Sequence, residues 1–429
     1  MRVFLDIVLD HSGDNWFYAD GHDYFYFQGE RFPFGGWRSK NRPLPAELRN
    51  PELYNRQGQI RNFDTYPEAR DGDFCNLKAF RSDGSPEAEY VHDLLVDLHC
   101  YWIREVDVDG FRLDAAKHMS EIDVSRFCSA VREYAYSLGK KNFFLFGELI
   151  GPDEVSTSYI GPQTSISVND KNVYYGLNSV LDFPLHGALP EVIKGTASPE
   201  RLIERYTALQ RNALDRGEYG EFLVTFVDNH DQVGQNPKHR FGSDATPEQI
   251  VAAIGFLLCA IGTPCIYYGT EQGLDGSGDG DWAVRECLFD PRDKKTNLLN
   301  PNSRIYQSIA AIAQIRKSSP VLKFGRMFIR EISGGGQHFH LPECNECTLA
   351  FSRILFKKEI LVVFNSSMTR TKEESVLIDF ELNEKKAAME CLYGGLKTVP
   401  ILGHNEPERN IRYVKLTLNP MQFVILKNI

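Results

Sequence analysis

A chain of 429 residues, 42% hydrophobic and 25% charged, has the composition of a globular protein with more than one domain, not of a disordered or fibrous one. Its formal charge of −10 argues against nucleic acid or an anionic membrane as a partner, and no apolar run is long enough to span a bilayer. The nine cysteines are odd in number, and Cys100, Cys128, Cys259 and Cys265 lie in apolar contexts. They read as reduced core thiols, which leans toward a cytoplasmic protein, and not as a disulfide framework.

Met1 leads straight into Arg2–Leu9, which reads as a buried strand with no leader segment before it. Residues 12–85 carry little periodicity and many aromatics: Trp16-Phe17-Tyr18, Tyr24-Phe25-Tyr26-Phe27 and Trp37. Those rings either line a cleft or form the small core of a loop-rich subdomain, and a loop this long is usually functional. Glu87–Arg104 has Val91, Leu94, Leu95, Leu98 and Trp102 at helical spacing. An apolar strand follows and ends in charge at Arg112 and Asp114. Two residues apart on a strand, these point to one face, and the arginine keeps the carboxylate ionised. That state suits a carboxylate nucleophile; a structural ion pair capping the strand is the plainer alternative. Lys117 and His118 follow where the strand gives way to a loop.

Residues 121–138 form a second amphipathic helix capped by Ser120 or Asp123, and Phe143–Phe146 is an apolar run ending on Gly147-Glu148. Ser179–Leu185 reads as a short strand before a helix near 198–213. Phe222–Val227 is a further apolar run, ending in Asp228-Asn229-His230-Asp231. A helix at 248–261, a strand at Pro264–Tyr268 and a helix at Asn302–Lys317 complete the alternation, which predicts a parallel sheet closed into a barrel over 1–322. Beyond it, Leu349–Leu355, Glu359–Phe364, Val414–Leu418 and Gln422–Leu426 read as an antiparallel β-sandwich over 323–429. Cys344 and Cys347, with His338 and His340 upstream, are zinc-ligand types, but one CxxC in a β-rich tail is a weak signal and zinc is not expected.

Three apolar strands each deliver acid at their C-terminal ends, in Asp114, Glu148 and Asp231. That is the inventory of glycoside hydrolysis, with two carboxylates and an acidic helper at the active rim of an α/β barrel. The segments Asp6–His11, Gly110–His118, Gly147-Glu148 and Phe226–Asp231 resemble the four successive signature regions of the α-amylase family, glycoside hydrolase family thirteen. Gly262–Gly269 is similar to that family's last barrel strand. The likeness covers roughly residues 1–320, and the remainder resembles the family's C-terminal β-domain.

The resemblance implies a TIM (β/α)8-type barrel, with 12–85 as an inserted subdomain and a C-terminal antiparallel β-sandwich. Because the first motif lies on the family's third strand, the chain is expected to start at that strand, leaving the barrel N-terminally incomplete with raw edges. Asp73 and Asn76 resemble a short further motif of the family. By resemblance Asp114 is the nucleophile, Glu148 the general acid/base and Asp231 the third carboxylate. The apolar run before Glu148 agrees, since apolar surroundings help a carboxyl hold its proton. Arg112 accompanies the nucleophile, His11 and His230 hydrogen-bond the sugar being cleaved, and Lys117 and His118 contact the leaving-group side; Asp6 is structural. Calcium is implied at Asp10, which stands where the family usually has Asn, and at the carbonyl of His118.

The expected activity is retaining hydrolysis of internal α-1,4 bonds of starch, glycogen or maltooligosaccharides by a monomer. A same-fold glucan transferase uses the same residues. A carbohydrate-binding homologue that lost catalysis would tend to lose the three carboxylates, and a solute isomerase is disfavoured by Lys117-His118.

Overall fold

The computed structural model describes the chain apart from residues 167–170, 212, 215–216, 290–296 and 406–408. The chain forms two units, Met1–Leu181 and Asp182–Ile429.

In the first unit the apolar runs become parallel strands β1 (Phe4–Val8), β2 (Gly110–Asp114), β3 (Phe144–Gly147) and β4 (Ser179–Leu181), in that order in the sheet. Helix α1 (Pro86–Val106) crosses over between β1 and β2, and α2 (Glu121–Ser137) between β2 and β3. Ser85 and Ser120 cap the two helices, their hydroxyls accepting the amides of Ala88 and Asp123. Gly110 lets β2 approach β3, because a Cβ there would sit 1.9 Å from the carbonyl oxygen of Phe144.

One expectation for this unit is corrected. The stretch Arg2–Leu9 is not a buried strand throughout: β1 is the end strand of this unit's order, and Phe4 and Val8 are exposed while Ile7 is buried. An apolar run gives a buried strand only where both faces are covered. In the inserted segment, Trp16–Tyr18 pairs antiparallel with Phe34–Trp37. Trp16, Tyr18 and Tyr54 are buried there, with the Trp16 and Tyr18 rings 4.8 Å apart, so these aromatics make the subdomain's own core.

The second unit opens with helix α3 (Phe183–Ile193), which the sequence reading missed. The strand expected to run through Leu185 stops at Leu181, because Asp182 caps α3 by accepting the amide of Leu185 at 3.0 Å and Pro184 suits a first helical turn. Helix α4 (Glu200–Arg211) follows; residue 212 of the expected helix lies outside the described residues. Strand β5 (Leu223–Thr225) pairs in parallel with β6 (Thr263–Pro264), with α5 (Pro247–Cys259) between them and α6 (Arg304–Ser318) after them. β6 is only two residues long, shorter than the expected Pro264–Tyr268.

The C-terminal part has nine strands: β7 (Arg326–Ile329), β8 (Ile332–Ser333), β9 (Thr348–Leu355), β10 (Lys358–Asn365), β11 (Lys372–Leu377), β12 (Ala388–Tyr393), β13 (Val399–Asn405), β14 (Asn410–Leu418) and β15 (Phe423–Asn428). Their order is β7-β9-β10-β15-β12-β13-β14-β11-β8. Leu361, Val363, Val376, Val414, Leu416 and Leu426 share one core, so the sheet closes over itself as the expected sandwich.

Arg353 of β9 joins that sandwich to the helix before β6. Its buried guanidinium donates to the carbonyls of Gly325, at 3.0 and 2.6 Å, and Cys259, at 2.7 Å, and also to that of Ala260. Cys259 and Ala260 end α5, so the cation sits at the negative end of the helix dipole. Arg353→Met should therefore destabilise the protein by about 3 kcal/mol, the size of removing a buried charged donor from several acceptors. Arg353→Lys should recover less than half, since one ammonium cannot serve both segments. Thermal melting of the three proteins checks both.

Candidate active site

The strand register builds the first half of the site. Asp6 of β1 lies beside Arg112 of β2, Val8 lies beside Asp114, and Glu148 follows directly on β3. Arg112 is buried and its fork serves three carboxylates: Nη1 donates to Asp6 at 2.8 Å and to Asp114, and Nη2 lies 3.1 Å from Glu148. Burial works against its charge, but Glu148, Asp6 and Asp114 outweigh it and hold the guanidinium pKa above its ordinary value. The carboxylate oxygens of Asp114 and Glu148 come within 4.8 Å of one another. The surroundings of Glu148 are thus not simply apolar, as its preceding run suggested: a guanidinium faces it.

Ala115 ends β2 abruptly. Its φ of 50° is in the left-handed region, which costs a non-glycine residue roughly 1 kcal/mol and is typical of functional sites. The turn aims its amide at Glu148 (3.4 Å) and starts the single turn Ala116–His118. Lys117 reaches Asp64 of the inserted segment at 2.5 Å. His118 is buried against the same segment, with Nδ1 on the carbonyl of Ala69 and its ring edge-on to Phe63 and Phe74. His11 is half-buried beside Phe74, its ring 5.7 Å away. Burial pushes the pKa of His11 down, and does the same to His118.

Asp231 and His230 belong to the second unit. Asp231 takes its backbone shape from Asn229, whose side-chain oxygen accepts the Asp231 amide at 2.9 Å. His230 Nε2 lies 3.1 Å from one Asp231 oxygen, and Arg285 Nη2 lies 2.5 Å from the other. Arg285 also donates to the carbonyl of His230 at 2.8 Å and approaches Asp281 at 3.4 Å, while Lys238 binds Asp281 and the Asp231 carbonyl. Arg285, Lys238 and Asp281 escaped the sequence reading, because they lie in or beside elements too short to show periodicity, Lys238 in the two-residue strand Lys238–His239 and Asp281 at the start of the single turn Asp281–Ala283. Neighbouring Asp228 is buried and structural, accepting from Phe241 N at 2.6 Å and Thr270 Oγ1 at 2.8 Å.

A family model described as alpha amylase, catalytic domain, matches residues 1–304. The chain belongs to the α-amylase family. It is 26% identical over 430 residues to an alpha-amylase of Streptomyces lividans, across 86% of this chain and 43% of that protein. It is 30% identical over 226 residues to a cyclomaltodextrin glucanotransferase of Niallia circulans, across 52% of this chain and 27% of that protein. The chain thus spans less than half the length of these relatives. Among solved structures it is similar to an alpha-amylase from Geobacillus thermoleovorans complexed with acarbose, with a TM-score of 0.71 and 21% identity over 100% of this chain and 77% of that one. The likeness shows the fold, an α-amylase-type TIM barrel with a C-terminal β-sandwich.

Whether this α-amylase-family chain can hold the expected metal is tested by Asp10. Its carboxylate is buried, and its Oδ2 has no hydrogen-bond partner. Burial, then the charges of Asp73, Asp114 and Asp71, push its pKa well above the ordinary carboxylate value. Asp73 has its own cation, Lys78 at 3.3 Å, and also accepts from Tyr18 at 2.7 Å. A buried, unpartnered acidic oxygen in an acidic neighbourhood fits a hard cation completed by backbone carbonyls and water. Neither at Asp10 nor at Cys344 and Cys347 do three ligand-bearing side chains converge among the described residues. No helix among those residues is long and apolar enough to cross a membrane.

The segment that carries Asp231 rests on a buried histidine. His186 of α3 stacks on Phe226, 4.6 Å between ring centroids, and burial pushes its pKa down to about 4 from 6.5. The folded chain therefore binds this proton less readily than the unfolded one. Its contribution is fully present above pH 6.5 and is lost as the pH falls toward 4, by roughly 3 kcal/mol in all. Melting temperatures at pH 7.5 and 5 should differ less in His186→Gln than in the natural chain.

Proposed function

We propose that the chain is a retaining glycoside hydrolase acting on internal α-1,4 bonds of α-glucans. The observation that carries this reading is the pair Asp114 and Glu148. They stand at the ends of adjacent parallel strands with oxygens within 4.8 Å, and they share Arg112. Retaining glycosidases keep their two carboxyl groups about 5–5.5 Å apart, whereas inverting enzymes need about 6.5–9.5 Å to seat a water.

In this reading Asp114, paired with Arg112, attacks the anomeric carbon. Glu148 protonates the departing glycosidic oxygen; its side chain is the more deeply buried, 10% exposed against 26% for Asp114. The glycosyl–Asp114 ester is then opened by a water that gives its proton to Glu148, so the anomeric configuration is retained. Asp231, held ready by His230 and Arg285, is the third carboxylate and grips ring hydroxyls as the sugar flattens. His11 contacts the sugar being cleaved. Lys117 and His118 shape the leaving-group side, with His118 acting through its packing against residues 63–74.

A product profile from maltoheptaose tests the reading. The natural chain should yield shorter maltooligosaccharides with retained anomeric configuration, and Asp114→Asn should lower the rate by about 10⁴-fold or more, as loss of a nucleophile does. The second reading is transfer to another sugar, favoured by the glucanotransferase relatives; products longer than the substrate would decide for it.

We also assign Asp10, with the main-chain carbonyl of His118, to a structural calcium ion that would neutralise the buried acidic neighbourhood. Calcium should raise the melting temperature by several degrees over a chelator, and Asp10→Ala should abolish that difference. Equal melting of the natural chain in both conditions would remove the metal from the account.

A further inference from the structure

Within the second unit, the N-terminal ends of α5 and α6 and two turns of the sandwich, at residues 393–395 and 419–423, border a cavity of about 440 Å³. That volume is in the range of small-ligand sites. Three features make it a constructed site and not a gap between packed elements.

The first is a β-bulge. Strand β12 pairs with β15 as Cys391↔Leu426 and then slips, so that Tyr393, not Leu392, meets Ile425. Bulges re-aim a side chain at a strand's end, and here the residue affected is Tyr393, which lines the cavity with its ring 6.3 Å from Phe423 at 64°. The second is the turn that follows. Gly394 has φ 107° and so little room that a Cβ would lie 2.6 Å from Phe423 O, while at Gly395 a Cβ would meet nothing within 4 Å. The strand therefore turns sharply after Tyr393, and the rim beside it stays open. Gln422 locks this shape by donating to Gly394 O at 2.7 Å and accepting from Asn419 N at 2.7 Å.

The third is the chemistry of the walls. Glu248 and Arg304, at the starts of α5 and α6, pair at 2.7 Å, so the rim carries both signs and no excess of either. The side-chain amide of Asn419 adds a planar donor and acceptor, and Val251 and Phe423 supply apolar floor. A neutral ligand rich in hydroxyls, with flat apolar ring faces, matches an aromatic wall flanked by a balanced set of donors and acceptors. An anion or a cation does not.

We propose that this groove is a second carbohydrate site, which binds a segment of α-glucan through Tyr393 and the Glu248–Arg304 pair. The α-glucan, as opposed to another neutral polyol, rests on the proposed function; the groove itself does not. The site would hold a polymer on the enzyme between cleavage events.

Retardation of the full chain in native gels containing glycogen tests this, because it reads binding without turnover. Tyr393→Ala should weaken retention by about tenfold, the size expected for loss of an aromatic anchor. Arg304→Ala, a substitution at a side chain 79% exposed, should weaken it less and leave the melting temperature unchanged. If Tyr393→Ala melts early, Arg304→Ala decides. Retention equal to the natural chain in both variants, or no retention of the natural chain, overturns the proposal. Turnover of maltoheptaose without Tyr393-dependent retention would discard the groove and keep the activity. Tyr393-dependent retention without turnover would do the reverse.

Discussion

The buried guanidinium of Arg112 is the interaction on which the first half of the site depends. Three carboxylates, Asp6, Asp114 and Glu148, crowd its two terminal nitrogens. Like charges about 4 Å apart repel by roughly 4 kcal/mol per pair at the effective dielectric of a protein. Without a cation among them, β2 and β3 could not bring Asp114 and Glu148 together. A lysine would neutralise one unit of charge but could not face two carboxylates with separate, directed N–H groups. The strand register makes the arrangement possible, since Asp6 and Arg112 are direct neighbours across β1 and β2. Retaining chemistry, if it operates here, thus depends on a main-chain alignment as much as on the acids themselves.

Cations around Asp231 repeat the principle with a different accent. Arg285 comes from a loop and Lys238 from the two-residue strand Lys238–His239, both are partly exposed, and Asp281 is tied to both. Contacts of this kind are individually weak in water. The Asp231 carboxylate is therefore held by a partly exposed guanidinium and by His230, whereas Arg112 is buried and fixed. In the proposed reading, rigid support would serve Asp114 as nucleophile and adaptable support would serve Asp231 in gripping a ring.

Much of this was legible in the sequence, for physical reasons that also explain what was not. An apolar run that ends abruptly in charge marks a buried strand opening on a polar rim, which located Asp114, Glu148 and the Asp228–Asp231 cluster. The same signal misled at Arg2–Leu9, because it does not say whether the second face of a strand is covered. Helix α3 was hidden inside an apolar run although Asp182 and Pro184 announce a helix start; the chain's hydrophobicity outweighed its punctuation. Arg285 and Lys238 had no periodicity to reveal them. The bulge at β12 was unreadable in principle, since it is defined by the register of β15, some thirty residues away along the chain.

The sandwich is more than a passive appendage. Arg353 sends its charge out of β9 into the carbonyls that end α5, and it does so without a carboxylate partner among its hydrogen bonds. A buried cation held only by carbonyl dipoles is tolerable where those dipoles are aligned, as at a helix C-terminus, and where each nitrogen of the fork donates. Such a contact fixes position closely, because Gly325 O takes the Nε–Nη2 side of the planar fork while the Cys259 and Ala260 carbonyls share Nη1. The end of α5 and strand β9 are therefore held in one geometry. At the other end of α5, Glu248 lies beside the sandwich turn that carries Tyr393. A groove whose two walls come from different elements keeps its shape only if those elements cannot slide past one another, and Arg353 supplies that constraint from the far end of the same helix.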